Sequence, residues 1–252
     1  RGHTASQWTE EKGQPTTAEL LGQHAAPTPA TVSLVALADA GEPAVISPAS
    51  LPASIYESAE RGELQRVAKW LHKGRSVDAV YSTTTRDGQP TTETLLHAAA
   101  AQGQLEMVRE LLKRGARVDL PSSLGGTPLM TAASYGRLSI LLVLLEHSAN
   151  PDLQSISGFT ALMLATDKGH RMCVQALLQA KANPDLQDIY GWTALALAAD
   201  LGYEACVQAL LRAKANTELC TKEGHTALQY AENQGHTATA ELIRQAAPLQ
   251  PA

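Results

Sequence analysis

The stretch Gly191-Trp-Thr-Ala-Leu-Ala-Leu-Ala-Ala-Asp-Leu-Gly202 decides how the chain folds. Thr193 is of a residue type that caps helix starts, because its hydroxyl accepts a hydrogen bond from a free backbone N–H one turn on. Leu195, Ala198 and Ala199 follow at spacings of three and four, which places them on one helix face. Gly202 then suits a left-handed helix end. The stretch therefore predicts a short capped helix that closes on a tight turn.

A second helix is predicted directly after that turn, from about residue 204 to 212. Its apolar residues again form one stripe, made of Cys206, Val207, Leu210 and Leu211. The segments between such helix pairs are rich in Pro, Asn, Asp and Gly, which favour a turn or hairpin. One unit is thus helix, turn, helix and projecting loop. It cannot bury its apolar faces alone, but stacked units can.

The same pattern recurs every 33 residues, which indicates a repeat architecture. The repeating positions include a Thr, a Leu and a Gly series: Thr94, Thr127, Thr160, Thr193, Thr226; Leu96, Leu129, Leu162, Leu195, Leu228; Gly103, Gly136, Gly169, Gly202, Gly235. A looser copy runs from Pro52 to Val80 at an offset of 41, so eight extra residues lie within Tyr81–Pro90. We predict an all-α repeat solenoid of six units, near 51–80, 91–123, 124–156, 157–189, 190–222 and 223–247, with polar terminal units.

The repeats resemble the ankyrin repeat family. The resemblance rests on the motifs Gly126-Thr-Pro-Leu129, Gly158-Phe-Thr-Ala-Leu162, Gly191-Trp-Thr-Ala-Leu195 and Gly224-His-Thr-Ala-Leu228, and it spans residues 52–247. The family's glycine at the end of the second helix is present as Gly74 and Gly115. It is replaced later by Ser148, Lys181 and Lys214, which we therefore expect in a strained left-handed conformation. The resemblance implies a module that binds a protein partner on a concave face built by first helices and loop tips.

The two ends of the chain differ from the repeats. Residues 1–50 are rich in Ala, Pro and Thr without a sustained period, which predicts a flexible tail or linker. Residues 248–252 are a short C-terminal tail. The chain starts at Arg1, which suggests a fragment or processed product, so any targeting signal before Arg1 is unknown. No apolar run approaches the roughly 18–20 residues that cross a bilayer, and we expect no membrane insertion.

Sequence features that carry catalytic chemistry are missing. Nucleophile-elbow, kinase and phosphate-loop motifs do not occur, and no histidine pair has metal-ligand spacing. We therefore predict no enzyme activity, cofactor or metal. His97, His170 and His236 occupy positions where we expect structural hydrogen bonds. The net charge of −5 argues against nucleic acid as the partner. Cys173 and Cys206 fall in apolar helix stripes, where we expect them to be buried, and Cys220 falls in a loop. The cysteines form no disulfide framework, and we expect an intracellular protein, in the cytoplasm, with the nucleus as the alternative.

The remaining surface candidates lie at loop tips and at the ends of first helices. We predict partner contacts at Tyr135, Ile156, Phe159, Lys168, Ile189, Tyr190, Trp192, Leu201, Lys222 and His225. Tyr190 and Trp192 are the leading anchors, because exposed aromatic residues dominate interface energetics. The competing interpretation is that the aromatic residue before the capping Thr braces the hairpin.

Two functions are consistent with these patterns. The first is a monomeric, non-enzymatic array that binds a protein partner. The alternative is the accessory, partner-recruiting array of a larger enzyme or channel, such as a ubiquitin ligase, acyltransferase or kinase, whose catalytic part lies outside this chain.

Overall fold

The computed structural model describes residues 51–84 and 88–246. The two predicted tails, 1–50 and 248–252, lie outside this range. Within it, six pairs of antiparallel helices follow one another: α1 Ala53–Glu60 and α2 Leu64–Leu71, α3 Leu95–Gln102 and α4 Leu105–Lys113, α5 Pro128–Ser134 and α6 Leu138–Glu146, α7 Ala161–Asp167 and α8 Arg171–Gln179, α9 Ala194–Asp200 and α10 Glu204–Arg212, α11 Ala227–Asn233 and α12 Thr237–Ala246.

Helix pairs stack in two rows, which makes the protein an all-α repeat solenoid, as predicted. The first helices of the units pack on one another in order from α1 to α11, and the second helices form a parallel row. We call the side with the first helices and the inter-unit loops the front face, and the side with the second helices the back face. Leu144, Leu177 and Leu210 are fully buried between the rows. Cys173 and Cys206 are buried, as predicted, and Cys220 is exposed.

Threonine caps start the first helices. The third to sixth units share this cap. In the fourth unit, for example, Thr160 Oγ1 accepts a hydrogen bond from the backbone N–H of Met163 at 3.2 Å. Thr94 forms a full capping box, in which the side chain of His97 returns the bond to the cap's own N–H. The first unit has Pro52 at this position and makes no side-chain cap bond.

Left-handed residues set the turns and the ends of the second helices. Gly169 has φ 67° in the turn between α7 and α8. Ser148, Lys181 and Lys214 have φ values of 64°, 67° and 63°, which confirms the conformation predicted for these non-glycine positions. Each such residue is strained by about 1 kcal/mol, because its Cβ crowds the following carbonyl oxygen.

A two-stranded sheet separates the first and second units. Strands β1 Val80–Thr84 and β2 Pro90–Thr94 pair antiparallel, with Val80 opposite Thr94. These strands hold the ends of the polar stretch in which the sequence has eight extra residues. The insertion therefore lengthens one inter-unit hairpin and leaves the helix stack intact.

Carboxylates of successive loops tie the units together. Asp119, Asp152 and Asp185 each accept a bond from the backbone N–H of the asparagine 31 residues further on. The distance is 3.1 Å to Asn150, 2.8 Å to Asn183 and 2.7 Å to Asn216. Hydrogen bonds to an ionised acceptor are stronger than neutral ones. This ladder fixes the spacing of the loops.

A second series of contacts spans the units beside the turn glycines. His170 Nε2–H donates to the Ser134 carbonyl and His236 Nε2–H to the Asp200 carbonyl, both at 3.1 Å. Arg137 makes the equivalent bond to the Ala101 carbonyl at 3.0 Å. The structural roles predicted for His170 and His236 are confirmed.

Candidate partner-binding surface

Backbone hydrogen bonds bring the loop tips of successive units side by side on the front face. The N–H of Ile156 donates to the Leu124 carbonyl at 3.1 Å, and the N–H of Ile189 to the Ser157 carbonyl at 3.2 Å. The N–H of Lys222 donates to the Tyr190 carbonyl at 2.8 Å. Three of the predicted contact residues, Ile156, Ile189 and Lys222, thus form one continuous row.

The members of this row differ in exposure. Ile156 is 50% exposed and presents a large aliphatic side chain to solvent. Lys222 is also exposed, whereas Ile189 and Tyr190 are half-buried. The side chain of Asp188 is bonded to the loop at Tyr190: Asp188 Oδ1 accepts from the N–H groups of Tyr190 and Trp192 at 2.9 and 2.7 Å.

The aromatic side chains that precede three of the capping threonines are half-buried or buried, which corrects the expectation for Phe159. Phe159 is 1% exposed and belongs to the core, so it offers no surface to a partner. Trp192 is half-buried, with its ring centroid 4.4 Å from that of Tyr230 in the next unit. His225 packs edge-on against the same tyrosine at 5.5 Å. These contacts support the bracing interpretation for this position.

The predicted contact residues at the ends of the first helices differ in how much of each side chain is exposed to solvent. Tyr135 is 37% exposed. Lys168 is exposed and pairs with the neighbouring Asp167 at 2.8 Å, while Leu201 is half-buried. Of these three side chains, Tyr135 is therefore the one that presents an exposed aromatic ring to solvent.

A groove of about 470 Å³ opens on the front face beside Tyr135. The first helices of units one to four and the β1–β2 hairpin line it. Most of the residues that line it were not predicted from the sequence, because the first predicted contact along the chain is Tyr135. The missed residues include Tyr56, Glu57, Glu60, Tyr81, Thr83, Glu93, Leu124 and Thr131.

Aromatic and acidic side chains organise the hairpin end of the groove. The rings of Tyr56 and Tyr81 lie 4.6 Å apart, and the Tyr56 hydroxyl donates to a carboxylate oxygen of Glu93. Burial, together with the charge of Glu93, raises the pKa of Tyr56 above its usual range. The Tyr56 hydroxyl therefore stays protonated and holds Glu93 in place.

The histidine beneath the groove is structural. His97 is buried, and its Nε2–H donates to the Gly126 carbonyl at 3.0 Å while Nδ1 completes the Thr94 capping box. Burial lowers its pKa, so the ring is neutral near pH 7. Both ring nitrogens are occupied, which leaves none for a metal ion or for proton transfer.

The described part of the chain has neither a metal-binding cluster nor a membrane-spanning helix. Residues 51–84 and 88–246 contain no group of three His, Cys, Asp or Glu side chains placed to hold a metal ion. In the same ranges, no helix combines the length and apolar character needed to cross a membrane.

Comparison with protein-family models gives a match over nearly all of the repeats. The model described as ankyrin repeats (3 copies) matches residues 55–155, 96–188, 145–220 and 162–248. A search of curated protein sequences gives no match.

Proposed function

The chain belongs to the ankyrin repeat family, and from this premise we propose that it is a non-enzymatic module that binds a protein partner on its front face. Ankyrin repeats generally act as protein–protein interaction modules. The observation that carries the proposal is the groove of about 470 Å³ between the hairpin and the first helices, with the exposed Tyr135 on its wall. The exposed Ile156 continues this surface along the row of loop tips.

The front face suits a protein partner because it combines apolar anchors with a polar surround. Aromatic residues are enriched at interface cores, and polar residues form the rim. Here Tyr135 lies beside Leu124 in the groove wall, while Thr83, Thr131 and Ser134 supply hydroxyl groups around them.

The experiment compares two pairs of exposed apolar residues on opposite faces. The tagged chain is used to capture partners from cell extract, and the most abundant partner is quantified by mass spectrometry. We expect Tyr135→Ala with Ile156→Ser to lower recovery at least about tenfold, as loss of interface anchors does. Circular dichroism should show an intact helical fold.

The matched control is Leu142→Ser with Met172→Ser on the back face. Leu142 is 43% and Met172 50% exposed, so the control removes similar apolar area from the second helices. We expect normal recovery for this variant. Recovery that is lost in the back-face variant and normal in the front-face variant overturns the proposal.

The alternative function, an accessory array of a larger enzyme or channel, stays a prediction. It is tested by the full reading frame: a catalytic or membrane domain next to these repeats would establish it. In that case the front face would recruit the partner or substrate for the attached domain.

A further inference from the structure

All the charged side chains that line the front-face groove, within the described residues, are carboxylates. They are Glu57 and Glu60 on α1 and Glu93 on β2. His97 lines the floor as a neutral ring. The groove therefore carries a negative charge that the mildly acidic chain as a whole does not explain.

Neighbouring groups leave most of this charge uncompensated. Arg61 approaches Glu57 at 3.4 Å but lies closer to Glu63, at 2.7 Å, and all three side chains are solvent-accessible. Exposed ion pairs of this kind are weak. Glu93 accepts a hydrogen bond from the neutral hydroxyl of Tyr56, and within residues 51–84 and 88–246 it has no ion-pair partner. Glu60 has no ion-pair partner among the residues that the structure describes.

Aromatic rings line the same groove as these carboxylates. Tyr135 presents an exposed ring in the same groove, and the Tyr56–Tyr81 pair forms the hairpin end. A guanidinium group can stack on an aromatic ring while its N–H groups donate to a carboxylate, whereas an ammonium group is a strongly hydrated point charge. The combination of tyrosine rings and carboxylates is therefore better suited to arginine than to lysine.

We propose that the groove binds an extended segment of the protein partner that carries arginine, with its guanidinium between the tyrosine rings and the Glu57 and Glu60 carboxylates and an apolar neighbour against Leu124. This inference rests on the proposed function. Charge complementarity selects the occupant, because phosphate-bearing ligands would be repelled by the carboxylates. Residues 1–50 of the same chain are disfavoured for the same reason, since they hold two basic and five acidic residues.

The binding test uses fluorescence anisotropy with short labelled peptides and the full chain. One peptide alternates leucine and arginine, a second has lysine for arginine, and a third has glutamate for arginine. We expect the arginine peptide to bind most tightly, the lysine peptide more weakly and the glutamate peptide not at all. Affinity for the arginine peptide should fall as salt is added, because salt screens exposed charges.

A charge-neutral variant pair locates the binding. Glu57→Gln with Glu60→Gln should weaken binding of the arginine peptide about tenfold, the loss expected for two partly exposed ion pairs. The control, Glu106→Gln with Glu146→Gln, removes two exposed carboxylates from the back face and should leave affinity unchanged. Two results would overturn the inference. One is an arginine peptide that does not bind the unmodified protein, and the other is an arginine peptide that binds the two double variants equally well.

Partner capture separates this inference from the proposed function. If the Tyr135 and Ile156 variant loses the partner while the Glu57 and Glu60 variant captures it normally, the front face binds the partner without the arginine contact, and only the inference fails. If the Tyr135 and Ile156 variant captures normally and the back-face variant does not, the proposed function fails as well.

Discussion

The indole ring of Trp192 stacks on the phenol ring of Tyr230, one unit further along the chain, with centroids 4.4 Å apart. Tyr230 also shares a hydrogen bond of 2.9 Å with Thr221, at the base of the next loop. The contact therefore joins two units and one loop. Trp192, a leading candidate for a partner anchor on sequence grounds, has a structural role that truncation would remove.

Trp192→Ala should destabilise the protein more than Tyr190→Ala does. The indole is half-buried against another ring, so its loss removes both apolar burial and an aromatic pair. We expect a decrease in the free energy of unfolding of about 2 kcal/mol for Trp192→Ala and below about 1 kcal/mol for Tyr190→Ala. Urea unfolding followed by circular dichroism measures both. Equal losses would mean that the stack does not brace the units.

Tyr203→His should stabilise the array. Tyr203 occupies the position held by His170 and His236 in neighbouring units, where the imidazole reaches a carbonyl of the preceding unit. In the Tyr203 unit the equivalent acceptor is the Asp167 carbonyl. An added hydrogen bond contributes about 1 kcal/mol. Thermal melts should show a higher Tm for Tyr203→His and a lower Tm for the reverse change, His170→Tyr. The opposite order would refute this interpretation.

Asp188→Asn should remove a pH dependence of stability. Burial raises the pKa of Asp188 to about 6, partly opposed by the backbone N–H bonds from Trp192 and Tyr190 and by the charge of Lys222. Because the folded state binds this proton more tightly than the unfolded state does, the ionised carboxylate costs stability as the pH rises from about 4 to about 6, and the full cost is present above that range.

Asparagine keeps an oxygen that can accept from the N–H groups of Tyr190 and Trp192 but has no charge to desolvate. The advantage of Asp188→Asn over the unmodified protein should be small near pH 4 and grow to at most about 3 kcal/mol near pH 7. Ser155, at the same position one unit earlier, already makes the equivalent bond to the Phe159 N–H without a charge. Urea midpoints at several pH values test this. A difference between the two proteins that is constant with pH would contradict it.

Two substitutions at left-handed positions should have opposite effects. Lys181→Gly relieves strain at an exposed site, and we expect a change between zero and a gain of about 1 kcal/mol. Gly169→Val should cost well over about 1 kcal/mol, because φ is 67° there and an added Cβ would lie 3.2 Å from the Tyr203 ring. Thermal melts of both variants provide the measurement. A clear loss of stability in Lys181→Gly would contradict the assigned strain.

The helix stack was predictable because each unit repeats the signals that start and end its helices. Every regular copy has a capping threonine such as Thr160 and a turn glycine such as Gly169. The same helix boundaries are therefore predicted five times over. The 33-residue repeat period does not predict how deeply a given side chain is buried. Phe159 and Trp192 hold the same position in successive units, yet one is in the core and the other half-buried, because burial depends on which side chains the next unit supplies.

The groove was not predictable because it is built where the repeat is irregular. Glu57 and Glu60 lie in the loosest copy, where charged residues were interpreted as a polar end of the stack. Tyr81 and Glu93 flank the insertion, which has no counterpart in the other units. Tyr56 and Glu93 are 37 residues apart, and their contact depends on tertiary packing that neither local pattern reveals.

The β1–β2 hairpin makes one position along the described repeats different from the others. A row of similar units has approximate translational symmetry, so a ligand that matches one unit can shift to the next with little loss. The long hairpin occurs once among the described units, and its side chains form part of the groove wall. A segment seated against that wall cannot slide by one unit without losing it. A segment bound as proposed would therefore have one register and one direction along the repeats.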